Sequence, residues 1–552
     1  VVSLLVFLGN SRRRVFFAAM AHSQMVLSWW LVILATLIPF VAAQDRDQDA
    51  GNEACDATAA GGCVSSEPAA EKAPPSSGRP HYWARQKGTM ERTGFSPYVM
   101  PNISKGITWS FQSEAKLDTH RATPLIDDEK NIYVMAISGR AYKLRGTDGQ
   151  ILWSYFKPEF GTVPGVPVLD GDRMIFITTL AWVVSLDIYT GKVVWSKQVA
   201  EAKGTSTDCV LVTGGLVITS IMDPMPALLA TQKLIRAELD DSAVIALNVQ
   251  DGSLKWKFYP TWHVYNFQPS TIDDGSFVFQ DQTGGVYRVD LNGKLIWSAA
   301  RNDPKSATTA AAVISEGKVY AVSNVGGGMK VTMPEGKGLL HVYDYDTGTP
   351  LWSQQLWYEG NQAVAAGKIA GHSGTSLVLG MGQNPGVPWF MLMSFFIPHW
   401  MIGWTYPLFL LSLKYPHLFS SKQGRAIVAF NAETGALRWV WEMEPYQKLA
   451  CEGDNEKFLE RYHEYMSTNP TNEPLCLPDA NAQPVIDGAG TAFVPFQDGN
   501  VYAVRDENGD GSITPNEVQV HHVGDGFQAS PSMAPGLLAF LDCGGKLDVF
   551  RG

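Results

Sequence analysis

The amino-acid sequence predicts an all-β fold, a β-propeller of about eight four-stranded antiparallel blades closed by N- and C-terminal strands. Three observations predict it. A strand–turn–strand unit ending in tryptophan recurs as YKLRGTDGQILW, VSLDIYTGKVVW, IALNVQDGSLKW, YRVDLNGKLIW, VYDYDTGTPLW and VAFNAETGALRW. Its closing residues, Trp153, Trp195, Trp256, Trp297, Trp352 and Trp439, mostly stand roughly 40 to 60 residues apart, the period of a propeller blade. The two ends of the repeat region are complementary: KGITWSF has a tryptophan, Trp109, without its hairpin, and GGKLDVFRG has inner strands without a tryptophan. Joined, they complete one blade and remove the exposed edges of an open sheet array.

Each part of the unit has a physical role. An alternating apolar strand runs into Asp187, Asn248, Asp344 or Asn431, whose side chains can accept from nearby turn amides. A glycine such as Gly191 or Gly435 then supplies the positive φ of a tight turn. The next strand ends in tryptophan, a flat side chain able to stack between blades and place its indole N–H on backbone. A second strand pair precedes many copies, as in ATPLIDDEKNIYVMAISG and AQPVIDGAGTAFVPFQDG. Counting the composite terminal blade gives about eight blades, with seven as the alternative.

The repeats resemble the PQQ-like (quinoprotein alcohol dehydrogenase-like) β-propeller family, whose tryptophan-docking motif reads roughly AxDxxTGxxxW; VSLDIYTGKVVW and VAFNAETGALRW are the nearest copies. The resemblance covers residues 105–552 and implies the fold. Relatives include quinone-dependent alcohol and sugar dehydrogenases and the propeller subunit of the outer-membrane barrel-assembly machinery, so two functions are implied: a non-catalytic scaffold, favoured here, or a PQQ-dependent oxidoreductase. Family dehydrogenases hold the quinone with Ca²⁺, a catalytic Asp and often a vicinal disulfide. No Cys-Cys pair exists in this chain, and no residue is assigned as catalytic. His120, Arg121, Asp208 and His263 fall near blade entries and are candidates for the channel wall.

Composition narrows the class. At 552 residues the chain exceeds one compact core, with 45% apolar residues and 52 glycines for burial and turns. A net charge of -11 and the lack of a Lys/Arg stripe exclude a nucleic-acid partner. Residues 1–43 read as a signal peptide: Arg12, Arg13 and Arg14 precede an apolar run that ends on Ala42 and Ala43. An uncleaved anchor is the alternative. Export to an extracellular, lumenal or periplasmic space follows. Residues 44–104, rich in Ala, Asp, Glu, Pro and Ser, are expected to form a flexible linker. The disulfide candidates are the local pairs Cys55–Cys63 and Cys451–Cys476, which leave Cys209 and Cys543 free or paired. Asn102-Ile103-Ser104 is a glycosylation sequon if the source is eukaryotic.

DENGDGSITPNE, residues 506–517, has the spacing of an EF-hand-like calcium loop. Asp506, Asn508 and Asp510 take positions 1, 3 and 5, Gly511 allows the bend, Ser512 offers its carbonyl, Thr514 the water-bridged position, and Glu517 a bidentate carboxylate. Strand-like flanks predict local ordering by Ca²⁺, not a helix-opening switch. An acidic solvated turn is the alternative.

Two insertions interrupt the repeats. The hydrophobic insertion, residues 386–421, contains VPWFMLMSFFIPHWMIGWTYPLFLLSL at 387–413, free of Asp, Glu, Lys and Arg. A single crossing would separate the last blades from the rest, so membrane-surface contact by a bent hairpin, with Trp389, Trp400, Trp404 and Tyr406 at the interface, is one reading. A flap packed on the propeller or on a protein partner is the other. The cysteine-bracketed insertion, residues 444–482, carries EKFLERYHEYMS at helical spacing and is expected to form a short helix.

Overall fold

The computed structural model describes residues 80–114, 118–200, 209–221, 243–264, 266–299, 308–325, 337–384, 406–454, 456–457 and 475–552. The expected signal peptide, Cys55, Cys63, Asp208, residues 385–405 and the EKFLERYHEYMS segment beyond Lys457 lie outside them.

The described residues form eight antiparallel sheets, as the repeat predicts. Blades 1 to 7 span residues 125–155, 168–198, 211–258, 270–299, 313–355, 365–446 and 485–522. Seven of the eight sheets have four strands; blade 4 has three plus an antiparallel bridge, Ser270 to Val278, in the fourth position. In blade 8 the N-terminal strand Trp109–Gln112 pairs with the C-terminal strand Lys546–Arg551, with Trp109 opposite Val549. Phe550 therefore shares a blade with Trp109. Inner and middle strands are buried almost throughout, while outer strands such as Leu254–Phe258 alternate between exposed and half-buried.

The seams between blades repeat one arrangement. Each tryptophan lies on the turn glycine of the following blade: Trp109 on Gly149, Trp153 on Gly191, Trp195 on Gly252, Trp256 on Gly293, Trp297 on Gly348 and Trp352 on Gly435. A Cβ at any of these glycines would stand 2.6–2.9 Å from the ring, and all six have φ between 68° and 80°. The glycine thus meets two demands, a left-handed turn and a flat socket. The indole N–H of Trp153 donates to Ile188 O at 2.9 Å, and those of Trp109, Trp195, Trp256 and Trp297 make the corresponding bonds to Gly146, Val249, Leu291 and Tyr345. For Trp352 and Trp439 the buried indole N–H finds no acceptor. Trp439 faces a longer turn, residues 505–517.

Blade 8 has no turn between its outer strands, because they come from opposite ends of the chain. The outer strand of blade 7, Val518–His522, accordingly carries no tryptophan. Its His521 Nε2 lies 2.9 Å from Asp548 Oδ2, and Ser110 Oγ donates to Asp548 Oδ1 at 2.6 Å. A polar clasp closes the ring.

The structure corrects the linker boundary. Residues 44–104 were expected to be a tether, yet from Trp83 onward the chain is a strap along the inner edges of the blades. Inner-strand amides of Ile126, Leu169, Thr271, Ile314, Ala366 and Ile486 donate in turn to the carbonyls of Trp83, Ala84, Met90, Glu91, Thr93 and Gly94 at 2.8–3.0 Å. Blades 1, 2, 4, 5, 6 and 7 are thus visited in chain order. The inner strand of a blade is a sheet edge with unpaired amides, and the strap satisfies them one at a time. Trp83, 2% exposed, anchors it.

The disulfide expectation is also corrected. Cys476 pairs with Cys543, with Cα atoms 5.8 Å apart, and Cys451 is a buried free thiol beside them. The fold brings the Cys543 turn of blade 8 against the insertion, so proximity in sequence does not decide the partner.

Two outcomes test this architecture. Trp83→Ala should cost about 3–5 kcal/mol in denaturant unfolding; a change near zero would restore the tether. The second concerns pH. Burial pushes the Asp548 carboxyl up, but bonds from His521 and Ser110 and the charge of Lys546 outweigh it and hold it below its ordinary value. A lowered folded value means that its stabilisation is present above about pH 4 and is lost as pH falls through the folded value. Asp548→Asn should lower the neutral-pH melting temperature and flatten its acid dependence, and an acid limb identical to wild type would refute the clasp.

Candidate functional site

The channel wall is built from the strap, the inner strands and the loops that lead into them. Its polar groups are bonded to one another across the channel. Gln483 of blade 7 donates to Gln268 Oε1, at the entry to blade 4, at 2.7 Å. Thr309 Oγ1 donates to Asp479 Oδ2 at 2.9 Å, Asn384 donates to Asp479 Oδ1 at 2.9 Å, and Gln362 donates to the same carboxylate. Asp479 is buried, and desolvation pushes its pKa up despite these three neutral donors. Beneath lie three buried cations of the strap, Arg85, Lys87 and Arg92. Lys87 Nζ donates to Val364 O, and Arg92 Nε to Pro269 O at 2.8 Å. Both residues have positive φ, 62° and 59°, a strained conformation held by the surrounding bonds. Burial, then the charge of Arg92, pushes Lys87 well below its ordinary pKa.

Of the channel candidates, His120 is enclosed, with neither ring nitrogen hydrogen-bonded. It is fully buried at the blade 8–blade 1 junction against Gly545, and burial, with the charge of Lys457, pushes its pKa down to about 3. Arg121 donates to Leu475 O at 3.0 Å and holds the cysteine-bearing insertion. His263 is buried and accepts from the Gln282 amide through its backbone carbonyl.

A quinone bearing three carboxylates would need cations facing it at the channel mouth. Among the described residues the wall presents amides around the Asp479 carboxylate, Lys87 and Arg92 donate to carbonyl oxygens, and Nη1 of the buried Arg85 has no acceptor.

The 506–517 loop occupies the turn of blade 7, where other blades have their tryptophan socket. Asp506, 1% exposed, accepts from Gly509 N at 2.8 Å and Gly511 N at 3.1 Å, and His372 Nε2 of blade 6 lies 2.9 Å from its Oδ2. Asn508 and Asp510 accept from the amides two residues on, at 3.0 and 2.8 Å. Glu517 accepts from Thr514 N at 2.9 Å and Glu507 N at 3.0 Å; these bonds, that of Thr514 foremost, hold its pKa down. Ser512 and Thr514 are exposed. Among the described residues no group of three or more His, Cys, Asp or Glu side chains converges on one point. The donors are nonetheless all oxygens at calcium-loop spacing, the amides shape the loop around Asp506, and Ile513 packs against the core beside Trp439. The residues fit Ca²⁺ in chemistry, and Asn508, Asp510 and Glu517 would exchange their present amide bonds for the ion. His372 was not foreseen; only the fold brings it there.

Of the hydrophobic insertion, helix α1, Tyr406–Lys414, is described. Leu408, Leu410 and Leu411 are each more than 40% exposed, and Leu418 just beyond is 67% exposed. No helix among the described residues is long and apolar enough to cross a membrane. Asn102 is exposed, its side chain accepting from Ser104 N at 2.8 Å.

Comparison with known proteins agrees with this architecture. A family model described as outer membrane protein assembly factor BamB matches residues 92–222 and 222–336. BamB from Moraxella catarrhalis superposes with a TM-score of 0.51 at 14% identity, covering 81% of this chain and 99% of that one. The quinohemoprotein alcohol dehydrogenase of Comamonas testosteroni gives 0.54 at 13% identity, covering 86% and 80%. Its counterpart ADHIIG from Pseudomonas putida HK5 gives 0.55 at 11%, again covering 86% and 80%. No curated protein matches by sequence. The fold and its docking seams define an eight-bladed β-propeller, and its repeats resemble the PQQ-like family over the matched residues 92–336.

Proposed function

We propose that the chain is a non-catalytic interaction scaffold of an exported compartment, extracellular, lumenal or periplasmic, that binds Ca²⁺ at residues 506–517 and meets a protein partner at a membrane surface. One observation carries the non-catalytic reading: the channel, where a propeller enzyme would seat its cofactor, is crossed by the Gln268–Gln483 bond and lined by the strap. The likeness to BamB, a protein described as an assembly factor, supports a scaffold. Ca²⁺ would supply positive charge to a loop whose side chains are acidic or neutral, and would order it locally.

The membrane reading rests on α1 and its charge. Residues 360–432 contain no Asp or Glu, although the chain has 54 acidic residues. Beside the exposed leucines stand Lys414, His417 and Lys422. An apolar face rimmed by cations suits an anionic lipid surface, while the rest of an acidic protein is repelled from it.

Calorimetry should detect Ca²⁺ binding that Asp506→Ala or Glu517→Ala abolishes, with stabilisation of about 2.7 kcal/mol at a hundredfold excess over Kd. Identical heats in all three proteins would exclude the loop. Wild-type protein should co-float with phosphatidylserine-containing vesicles, and Leu408→Ser/Leu410→Ser/Leu411→Ser should remain in the aqueous fraction with an unchanged melting curve. Equal flotation of both would exclude α1, and saturable quinone-dependent alcohol oxidation would overturn the non-catalytic reading.

A further inference from the structure

The cysteines of the insertion are arranged for chemistry with one another. Cys451, Cys476 and Cys543 pack as a single cluster, each no more than 1% exposed. Asp454 joins the first two: its carboxylate accepts from Cys476 N at 2.8 Å and Leu477 N at 2.9 Å, its own amide donates to Cys451 O at 3.3 Å, and the Cys451 thiol beside it donates to Glu452 O at 3.5 Å. Gly526 lets the third approach. It donates to Glu452 O at 2.8 Å and accepts from Cys543 N at 2.9 Å, and a Cβ there would stand 3.0 Å from Cys451 Cβ. Lys457 Nζ lies 3.2 Å from Cys543 O and 2.8 Å from Asp525 Oδ2, which puts an ammonium beside the Cys543 end of the disulfide.

We propose that these residues form an intramolecular thiol–disulfide exchange centre that shifts the tether of the insertion between blade 8 and the insertion itself. Asp454 takes the proton of the Cys451 thiol, and Cys451 Sγ attacks Cys476 Sγ. The Cys476–Cys543 bond breaks with its electron pair on Cys543 Sγ, beside Lys457, and the proton passes to that sulfur. One S–S bond forms as one breaks, so no oxidant or reductant is consumed. Cys476–Cys543 closes a loop of sequence separation 67 and ties the insertion to a blade 8 turn; Cys451–Cys476 closes a shorter loop and frees that turn. Cys476–Cys543 is the pairing in the structure and is taken as the resting one. Burial above all raises the Cys451 thiol well above its usual value, so the exchange is slow at neutral pH and quickens as the thiolate forms. The site is independent of the scaffold reading.

The test maps disulfides in the whole purified chain without added redox reagent. Samples are held at neutral pH and at about pH 9, trapped with N-ethylmaleimide, digested and analysed by mass spectrometry. At the higher pH the blocked thiol should move from Cys451 to Cys543 while Cys451–Cys476 peptides accumulate. Cys451→Ser should hold the Cys476–Cys543 bond at both pH values, and Cys543→Ser, separately given oxidised glutathione as the oxidant, should form Cys451–Cys476 with a cooperative melt. Asp454→Asn should slow the exchange about tenfold or more, an effect that simple packing would not produce. A free thiol that stays at Cys451 in every sample, or two free thiols in folded Cys543→Ser after oxidised glutathione, would overturn the proposal.

Discussion

The ring depends on one contact, the seating of a tryptophan on the turn glycine of the next blade. A blade is a small twisted sheet with two large apolar faces, and it is stable only when neighbours cover both. Stacking an indole on a glycine backbone brings the outer strand of one blade against the turn of the next with no side chain between them. The indole N–H then fixes the angle through a carbonyl two or three residues before the glycine, as Trp153 does on Ile188. Any side chain at Gly191 would strain the turn and displace the ring in the same step, so turn and seam share one residue.

A closed ring still leaves the inner edges of its blades, and the strap answers that need. The innermost strands carry amides that no fifth strand covers. One segment, drawn past six blades in order, supplies a carbonyl to each. Lys87 and Arg92 then reach outward to carbonyls of the wall. Burying two cations without carboxylate partners is unfavourable, and the left-handed backbone at both residues adds strain. The gain is that one segment ties six blades to a common strand of chain.

The repeat was legible in the sequence because its signals are local: the strand, the acidic or amide turn residue, the glycine and the tryptophan lie within a dozen residues. The closure of blade 8 was legible as well, since Trp109 and GGKLDVFRG are fragments of one motif. The strap was not. Each of its residues bonds to a different blade, so it shows neither strand alternation nor helical spacing, and its Arg, Lys, Thr and Gly look like those of a linker. Cys476 and Cys543 lie in different blades' surroundings, and spacing could only suggest the nearer Cys451. The 506–517 loop was legible from its own spacing, but the approach of His372 from 134 residues away was not.

The departures from the tryptophan–glycine stack fall together, at the seams that join blades 6, 7 and 8. A regular seam leaves no room for elaboration, because a longer turn would lift the glycine from under its tryptophan. In blade 7 the turn is the 506–517 loop, and Trp439 packs against Ile513 and Val518 instead of a glycine. In blade 8 there is no turn, and the His521–Asp548–Ser110 clasp replaces the indole. The apolar helix interrupts blade 6, and the cysteine-bearing insertion lies between blades 6 and 7. The first five blades therefore serve as a frame. The sector where the docking contact lapses carries the 506–517 loop, the exposed apolar face of α1 and the cysteine cluster.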